Sequence, residues 1–173
     1  MEDQFETKIA TVEEFDAAHF IVQTDTKCRN IHGHRWKVLF EVSGTVKEDG
    51  MVLDFLKLKE YVQVLDHRLM VPEKNKMVNI EEEGENLRIT VPGRFGLIIQ
   101  KEAVILLPIE EVTAESLANY LAECVFEDFD LSVVKITVWE SPKSYATAVR
   151  TRYGTFMISP NWGKVVFTVQ GEQ

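Results

Sequence analysis

The sequence predicts an α+β fold built mainly from antiparallel strands. Three observations carry this prediction. Period-2 alternation of apolar and polar residues marks strands at 5–20, 34–43 and 132–140. Two stretches place apolar residues at helical spacing, and each opens on a capping residue. The order is strands, helix, a polar interruption, helix, strand, which is an α+β arrangement and not alternating βα units.

Residues 5–20 (FETKIATVEEFDAAHF) read as a strand ending at His19. In 34–43 (HRWKVLFEVS), Trp36, Val38, Phe40 and Val42 share one side, and Arg35, Lys37 and Glu41 take the other. Gly44 and Glu48-Asp49-Gly50 supply turn chemistry, so a hairpin partner is expected at 51–53. Asp54 reads as the N-cap of a helix carrying Phe55, Leu58, Val62 and Leu65 and running into Leu65-Asp66-His67. Residues 71–108 are polar, then acidic, then strand-like in short runs broken at Pro92-Gly93 and Gly96. They read as an insertion with its own hairpin. A second helix begins at Thr113, with Leu117, Tyr120, Leu121, Cys124 and Val125 on one apolar face. The tail adds a strand near 164–169. The 173 residues suit a single domain spanning 1–173, with the insertion at about 71–108 and an extension after about 153.

Net charge is −9, with a pI near 5.0, which argues against a broad nucleic-acid-binding face but leaves room for a small anionic ligand. The acidic start, MEDQFETK, lacks the apolar core of a signal peptide, and no apolar run is long enough to cross a membrane. Two cysteines make no disulfide framework. A cytoplasmic protein with reduced thiols is expected.

The chemistry concentrates in Cys28-Arg-Asn-Ile-His32-Gly-His34. Residues two apart on a strand face the same way, and His32 and His34 share the parity of Trp36, so both imidazoles face the interior. A metal ion, zinc by donor type, is the commonest reason for such a pair. His19, on the parity of Phe15 and Ala17, supplies a third ligand if the first two strands pair. Spacing leaves Cys28 open: a fourth ligand closing a structural site, or a thiol held beside the metal, with Lys27 and Arg29 flanking it, as base or nucleophile. Cys124 reads as core. Asp66-His67 is either a carboxylate-oriented acid–base pair or a solvated helix end. Glu140 ends the apolar face of the 132–140 strand, so it pairs with an Arg, binds a ligand with two adjacent N–H donors, or emerges into solvent. A cupin barrel also offers His-x-His. It requires a glutamate ligand soon afterwards, and here the next one, Glu41, lies on the opposite strand face.

Four segments, Phe15-Asp-Ala-Ala-His19, Cys28-x-x-x-His32-Gly-His34, Leu65-Asp66-His67 and Trp139-Glu140-Ser141, together with Thr113-Ala-Glu-Ser-Leu-Ala, resemble the 6-pyruvoyl-tetrahydropterin synthase / 6-carboxytetrahydropterin synthase family over roughly 5–70 and 109–153. The resemblance implies the T-fold (tunnelling fold): an antiparallel four-stranded sheet with two helices on one face. It also implies a homo-oligomer, a trimer whose sheets close into a barrel or a dimer of such trimers, with active sites between subunits. It implies zinc on His19, His32 and His34, a catalytic Cys28–Asp66–His67 set, and substrate contacts from Glu140 and Thr113. The implied substrate is 7,8-dihydroneopterin triphosphate. The three-residue spacing between Cys28 and His32 resembles the 6-carboxy type, a lyase that releases acetaldehyde and feeds queuosine and deazapurine synthesis. Animal 6-pyruvoyl members tend to have a longer spacing, and the 6-hydroxymethyl-forming branch tends to carry a glutamate that Arg29-Asn30-Ile31 lacks. A non-catalytic pterin-binding T-fold protein is the reading from outside enzymology.

Overall fold

The computed structural model describes residues 6–152, 157–158 and 165–166. In chain order the elements are β1 (Glu6–His19), β2 (His32–Thr45), α1 (Phe55–Gln63), β3 (Leu69–Pro72), β4 (Asn79–Glu83), β5 (Asn86–Val91), β6 (Phe95–Gln100), β7 (Val104–Leu107), α2 (Ala114–Asp128), β8 (Val133–Ser141), β9 (Ser144–Thr151), β10 (Met157–Ile158) and β11 (Val165–Val166). β1 and β2 pair antiparallel over their full length, from Glu6 opposite Thr45 to His19 opposite His32. β8 adds to β2, and β9 to β8, both antiparallel.

The main sheet has six strands, in the order β7-β3-β1-β2-β8-β9. This corrects the four-stranded expectation. β1, β2, β8 and β9 are the four long antiparallel strands, and the short β3 and β7 extend the sheet in parallel beyond β1. Leu69–Pro72 is buried at every position. A strand covered on both faces has no alternation to read.

One face carries the core. Trp36, Val38, Phe40 and Val42 of β2 and Val134, Ile136 and Val138 of β8 pack against Leu58 and Val62 of α1 and Leu117, Leu121 and Val125 of α2. Both helices therefore lie on one side, as expected. Asp54 caps α1 by accepting from the Leu56 amide at 2.9 Å, and Thr113 caps α2 by accepting from the Ser116 amide at 3.2 Å. α1 ends at Gln63; the Leu65 and Asp66 amides close a last turn on the Val62 carbonyl, and the chain then leaves helical backbone at His67. The other face is open and charged. There Glu41 is held by Lys8 and Lys135, and Arg35 grips Asp16 with two bonds at 2.7 and 3.0 Å.

No strand forms at 51–53; the chain closes a turn instead, with the Lys47 amide donating to the Met51 carbonyl at 2.9 Å. The hairpin expected within 71–108 is a three-stranded sheet, β4-β5-β6. Its apolar side forms a second core with Leu69, Val71 and Val104 and with Phe20 and Val22, which follow β1. In the tail, Met157–Ile158 pairs with Val165–Val166; the rest of the strand expected near 164–169 lies outside the described residues. Among those described, no helix is long and apolar enough to cross a membrane, and Cys28 and Cys124 are free thiols.

Candidate metal centre and active site

The β1–β2 register brings the three histidines together. His19 lies opposite His32, and His34 lies opposite Ala17, two positions along the same face. Their ligand nitrogens all fall within 4.8 Å of one another. His19 is fully buried; His32 and His34 are half-buried.

Their hydrogen bonds decide what the cluster can hold. His19 Nδ1 donates to the Val112 carbonyl at 2.7 Å, and His32 Nδ1 donates to the Asn30 carbonyl at 2.8 Å. A carbonyl only accepts, so each Nδ1 bears the proton and each Nε2 presents a lone pair. These two Nε2 atoms are 3.1 Å apart. Two lone pairs at that distance repel unless a cation lies between them. Burial, the largest influence, pushes the His19 pKa down to about 4, so the buried His19 is itself neutral near neutral pH. Burial lowers the His34 pKa as well. Tetrahedral zinc with bonds of about 2.0–2.1 Å sets its ligand nitrogens roughly 3.3 Å apart, so the donor set fits such an ion. The backbone carbonyls that orient His19 and His32 are the outer contacts a metal-binding imidazole ordinarily has.

Glu140 approaches the same cluster. The β8–β9 register breaks between Trp139 and Ser141, and the irregularity falls on Glu140. Its Oε1 lies 3.4 Å from His19 Nε2 and 3.8 Å from His34 Nε2. A carboxylate oxygen beside imidazole lone pairs is a further acceptor in a group already short of positive charge.

Cys28 sits in a 3₁₀ turn, Lys27–Arg29, within the loop joining β1 to β2. Its carbonyl accepts from the Ile21 amide at 2.9 Å, and the thiol is half-buried. Among the described residues, the cluster of mutually close ligand atoms holds the three histidines and not this cysteine. Cys124 lies on α2 beside Tyr120, where burial raises its thiol pKa.

Asp66 and His67 form the expected pair. Asp66 Oδ2 is 2.9 Å from His67 Nδ1, and Asp66 Oδ1 accepts from the Asp16 amide at 2.9 Å. That amide bond, together with the His67 contact, holds the Asp66 carboxyl below its ordinary pKa. His67 has φ +59°, a left-handed backbone uncommon for a non-glycine residue. Its amide donates to the Asp16 carbonyl at 2.7 Å, so the turn is stitched to β1 from both sides of Asp16. The His67 side chain is exposed, and it borders the same cavity of about 490 Å³ as His34, with Arg35 and Arg68.

The structure thus gathers His19, His32, His34 and Glu140, and pairs Asp66 with His67, which borders a cavity that His34 also lines. Thr113 spends its hydroxyl on the α2 cap, one residue from the carbonyl that orients His19. Glu41 faces away from the histidines in the grip of two lysines, which removes the cupin arrangement. Sequence reasoning missed Glu111 and Asn75, whose side chains tie the β1–β2 loop to the segment before α2. Their only signal was the position of Glu111 two residues ahead of the Thr113 cap.

A sheet backed by two helices on one face, with a three-histidine cluster at the end of its central hairpin, defines the class: a T-fold chain with a candidate metal centre. Residues 8–151 match the family described as 6-pyruvoyl tetrahydropterin synthase, and the chain belongs to that family of pterin synthases. It is 37% identical over 147 residues to a putative 6-carboxy-5,6,7,8-tetrahydropterin synthase of Pyrococcus horikoshii, covering 83% of this chain and 90% of that one. It is 30% identical over 151 residues to the 6-carboxy-5,6,7,8-tetrahydropterin synthase of Haemophilus influenzae, covering 80% and 95%. Its fold is similar to the crystal structure of 6-pyruvoyl tetrahydropterin synthase from Plasmodium vivax, with a TM-score of 0.70 and 27% identity over 85% of this chain and 99% of that one.

Proposed function

We propose that the protein is a zinc-dependent lyase that converts 7,8-dihydroneopterin triphosphate and water to 6-carboxy-5,6,7,8-tetrahydropterin, acetaldehyde and triphosphate, in the cytoplasm and toward queuosine or another deazapurine. One observation carries the metal-dependent part of this reading: three imidazoles whose ligand nitrogens all lie within 4.8 Å of one another, two of them oriented by backbone carbonyls so that Nε2 faces the cluster. The choice of product rests on the relatives named 6-carboxy-5,6,7,8-tetrahydropterin synthase and on the Cys28-x-x-x-His32 spacing.

His19, His32 and His34 hold the zinc, which when bound acidifies the hydroxyls of the substrate side chain. Glu140 accepts two hydrogen bonds from the pterin 2-amino group and ring N–H, a match suited to a carboxylate, and Thr113, which follows the residue whose carbonyl orients His19, is the second substrate contact. Cys28, as thiolate, takes the proton from the side-chain carbon next to the ring. His67 donates through Nδ1 to Asp66, which leaves its Nε2 to accept and return protons as triphosphate departs. Active sites lie between subunits. Three copies pair their sheet edges into a barrel, removing exposed strand edges, and two such rings give a hexamer. The chain is a single T-fold domain in which 71–108 is an insertion and the residues after about 153 an extension.

The 6-pyruvoyl reaction, which stops after triphosphate loss and rearrangement, is the second reading, favoured by the likeness to the P. vivax structure. The two are separated by incubating zinc-loaded protein with 7,8-dihydroneopterin triphosphate and assaying acetaldehyde. One acetaldehyde per triphosphate is expected; triphosphate without acetaldehyde would move the protein to the pyruvoyl reaction. Glu140→Gln is expected to keep its zinc and lose roughly ten- to hundredfold in kcat/KM, the loss of about 1.5–3 kcal/mol from a charged hydrogen-bond partner. Parental kinetics in that variant would remove Glu140 from the pterin site.

A further inference from the structure

The loop that carries Cys28 is fixed from outside the site. Its first residues, Phe20 and Val22, are each 1% exposed and sit in the second core, among Leu87, Ile89 and Val91 of β5. Phe20 meets Phe95 of β6 edge to face, with ring centres 5.0 Å apart. Glu111 then holds the next two amides with one carboxylate: Val22 N–H donates to Oε2 and Gln23 N–H to Oε1, both at 2.8 Å. Asn75, which is 3% exposed, donates to the Glu110 carbonyl at 2.7 Å and to Glu111 Oε1 at 3.3 Å. Arg94, at the β5–β6 turn, donates to the Ile21 carbonyl at 3.2 Å. The Ile21 amide in turn donates to the Cys28 carbonyl at 2.9 Å.

These contacts form one path. It runs from the three-stranded sheet and from Asn75, through Glu111 and Arg94, to Ile21, Val22 and Gln23, and on to Cys28. It shares its root with the metal centre, because Val112, the residue after Glu111, gives the carbonyl that orients His19. One backbone segment, 110–112, therefore sets both the buried ligand and the thiol loop.

We infer that Glu111 is a positioning residue for Cys28, and that the 71–108 segment, through Asn75 and Arg94, is the outer brace of the catalytic loop. The part concerning the reaction rests on the reading of Cys28 as the catalytic thiol; the bracing of the loop does not. Glutamine at 111 keeps the shape but offers one oxygen where two amides need acceptors, and it turns an NH₂ toward the second amide. A displacement of about 1 Å of a reacting group costs on the order of 10²-fold in rate, so a loosened loop appears in kcat while substrate binding is spared.

The test compares Glu111→Gln and Arg94→Met with the parent, zinc-loaded, by amide hydrogen exchange, metal content, and kcat and KM on 7,8-dihydroneopterin triphosphate. In Glu111→Gln, exchange at residues 21–28 is expected to rise about tenfold or more, as loss of one hydrogen bond to a charged carboxylate predicts. kcat is expected to fall about ten- to hundredfold, with KM within about twofold and one zinc per chain. Arg94→Met moves both quantities the same way by less, and it decides the question if Glu111→Gln does not fold. Parental exchange and kcat would overturn the inference; raised exchange with parental kcat would overturn the positioning role. A Cys28→Ala variant with parental turnover would instead defeat the reading of Cys28, and the exchange result on Glu111 would stand apart from it.

Discussion

Cys28→Ala is expected to retain one zinc per chain and to lose turnover by about 10²–10⁴-fold, the contribution of a positioned general base. The three imidazoles gather without the cysteine, so the metal does not need the sulfur. The loop is held by backbone bonds and by Phe20 and Val22, none of which involves the thiol, so the variant is expected to fold as the parent does. Metal analysis and steady-state kinetics on one preparation check both halves. A variant that loses its zinc would make Cys28 a ligand and close the site, and the proton-abstracting role would fall with it.

His32→Ala is expected to lose both metal and turnover. An outer-shell partner of a metal ligand is worth about 10–100-fold in affinity, and a direct ligand is worth more, so zinc affinity is expected to drop by more than about 10²-fold. The position suits the test. His32 opens β2, is half-buried, and its ring Nδ1 bonds within its own loop, to the Asn30 carbonyl. His19 is a poorer choice, because it is fully buried beneath Val112 and its removal also leaves a cavity in the core. Competition with a chelating dye and zinc content measure the effect. Parental affinity in His32→Ala would break the three-histidine assignment.

Much of the site was legible in strand parity. His32 and His34 share the alternation of Trp36 and Phe40, and a hairpin pairing of the first two long strands is enough to bring His19 opposite His32. The caps at Asp54 and Thr113 were equally plain, because a short acceptor side chain before an apolar periodic run has one obvious use. What failed to show was whatever depends on partners distant in sequence. β3 and β7 are four-residue apolar runs whose parallel pairing crosses the whole of β4–β6, and no local pattern announces it. The turn at 47–51 satisfied the same glycine and acidic signals as a hairpin without making one. Glu140 was visible as a carboxylate ending an apolar face, but the register break at its position, and so its approach to His19 and His34, exists only once β8 and β9 pair. Glu111 is one acid among 28 Asp and Glu residues until the loop folds back on it.

The most direct test of the metal centre is X-ray absorption at the zinc edge of protein reconstituted with one equivalent of zinc. Three imidazole nitrogens at about 2.0–2.1 Å, with a light oxygen or nitrogen atom in the remaining position and no sulfur, is the predicted result. A sulfur shell near about 2.3 Å would contradict it, placing Cys28 on the metal and turning an open catalytic centre into a closed structural one.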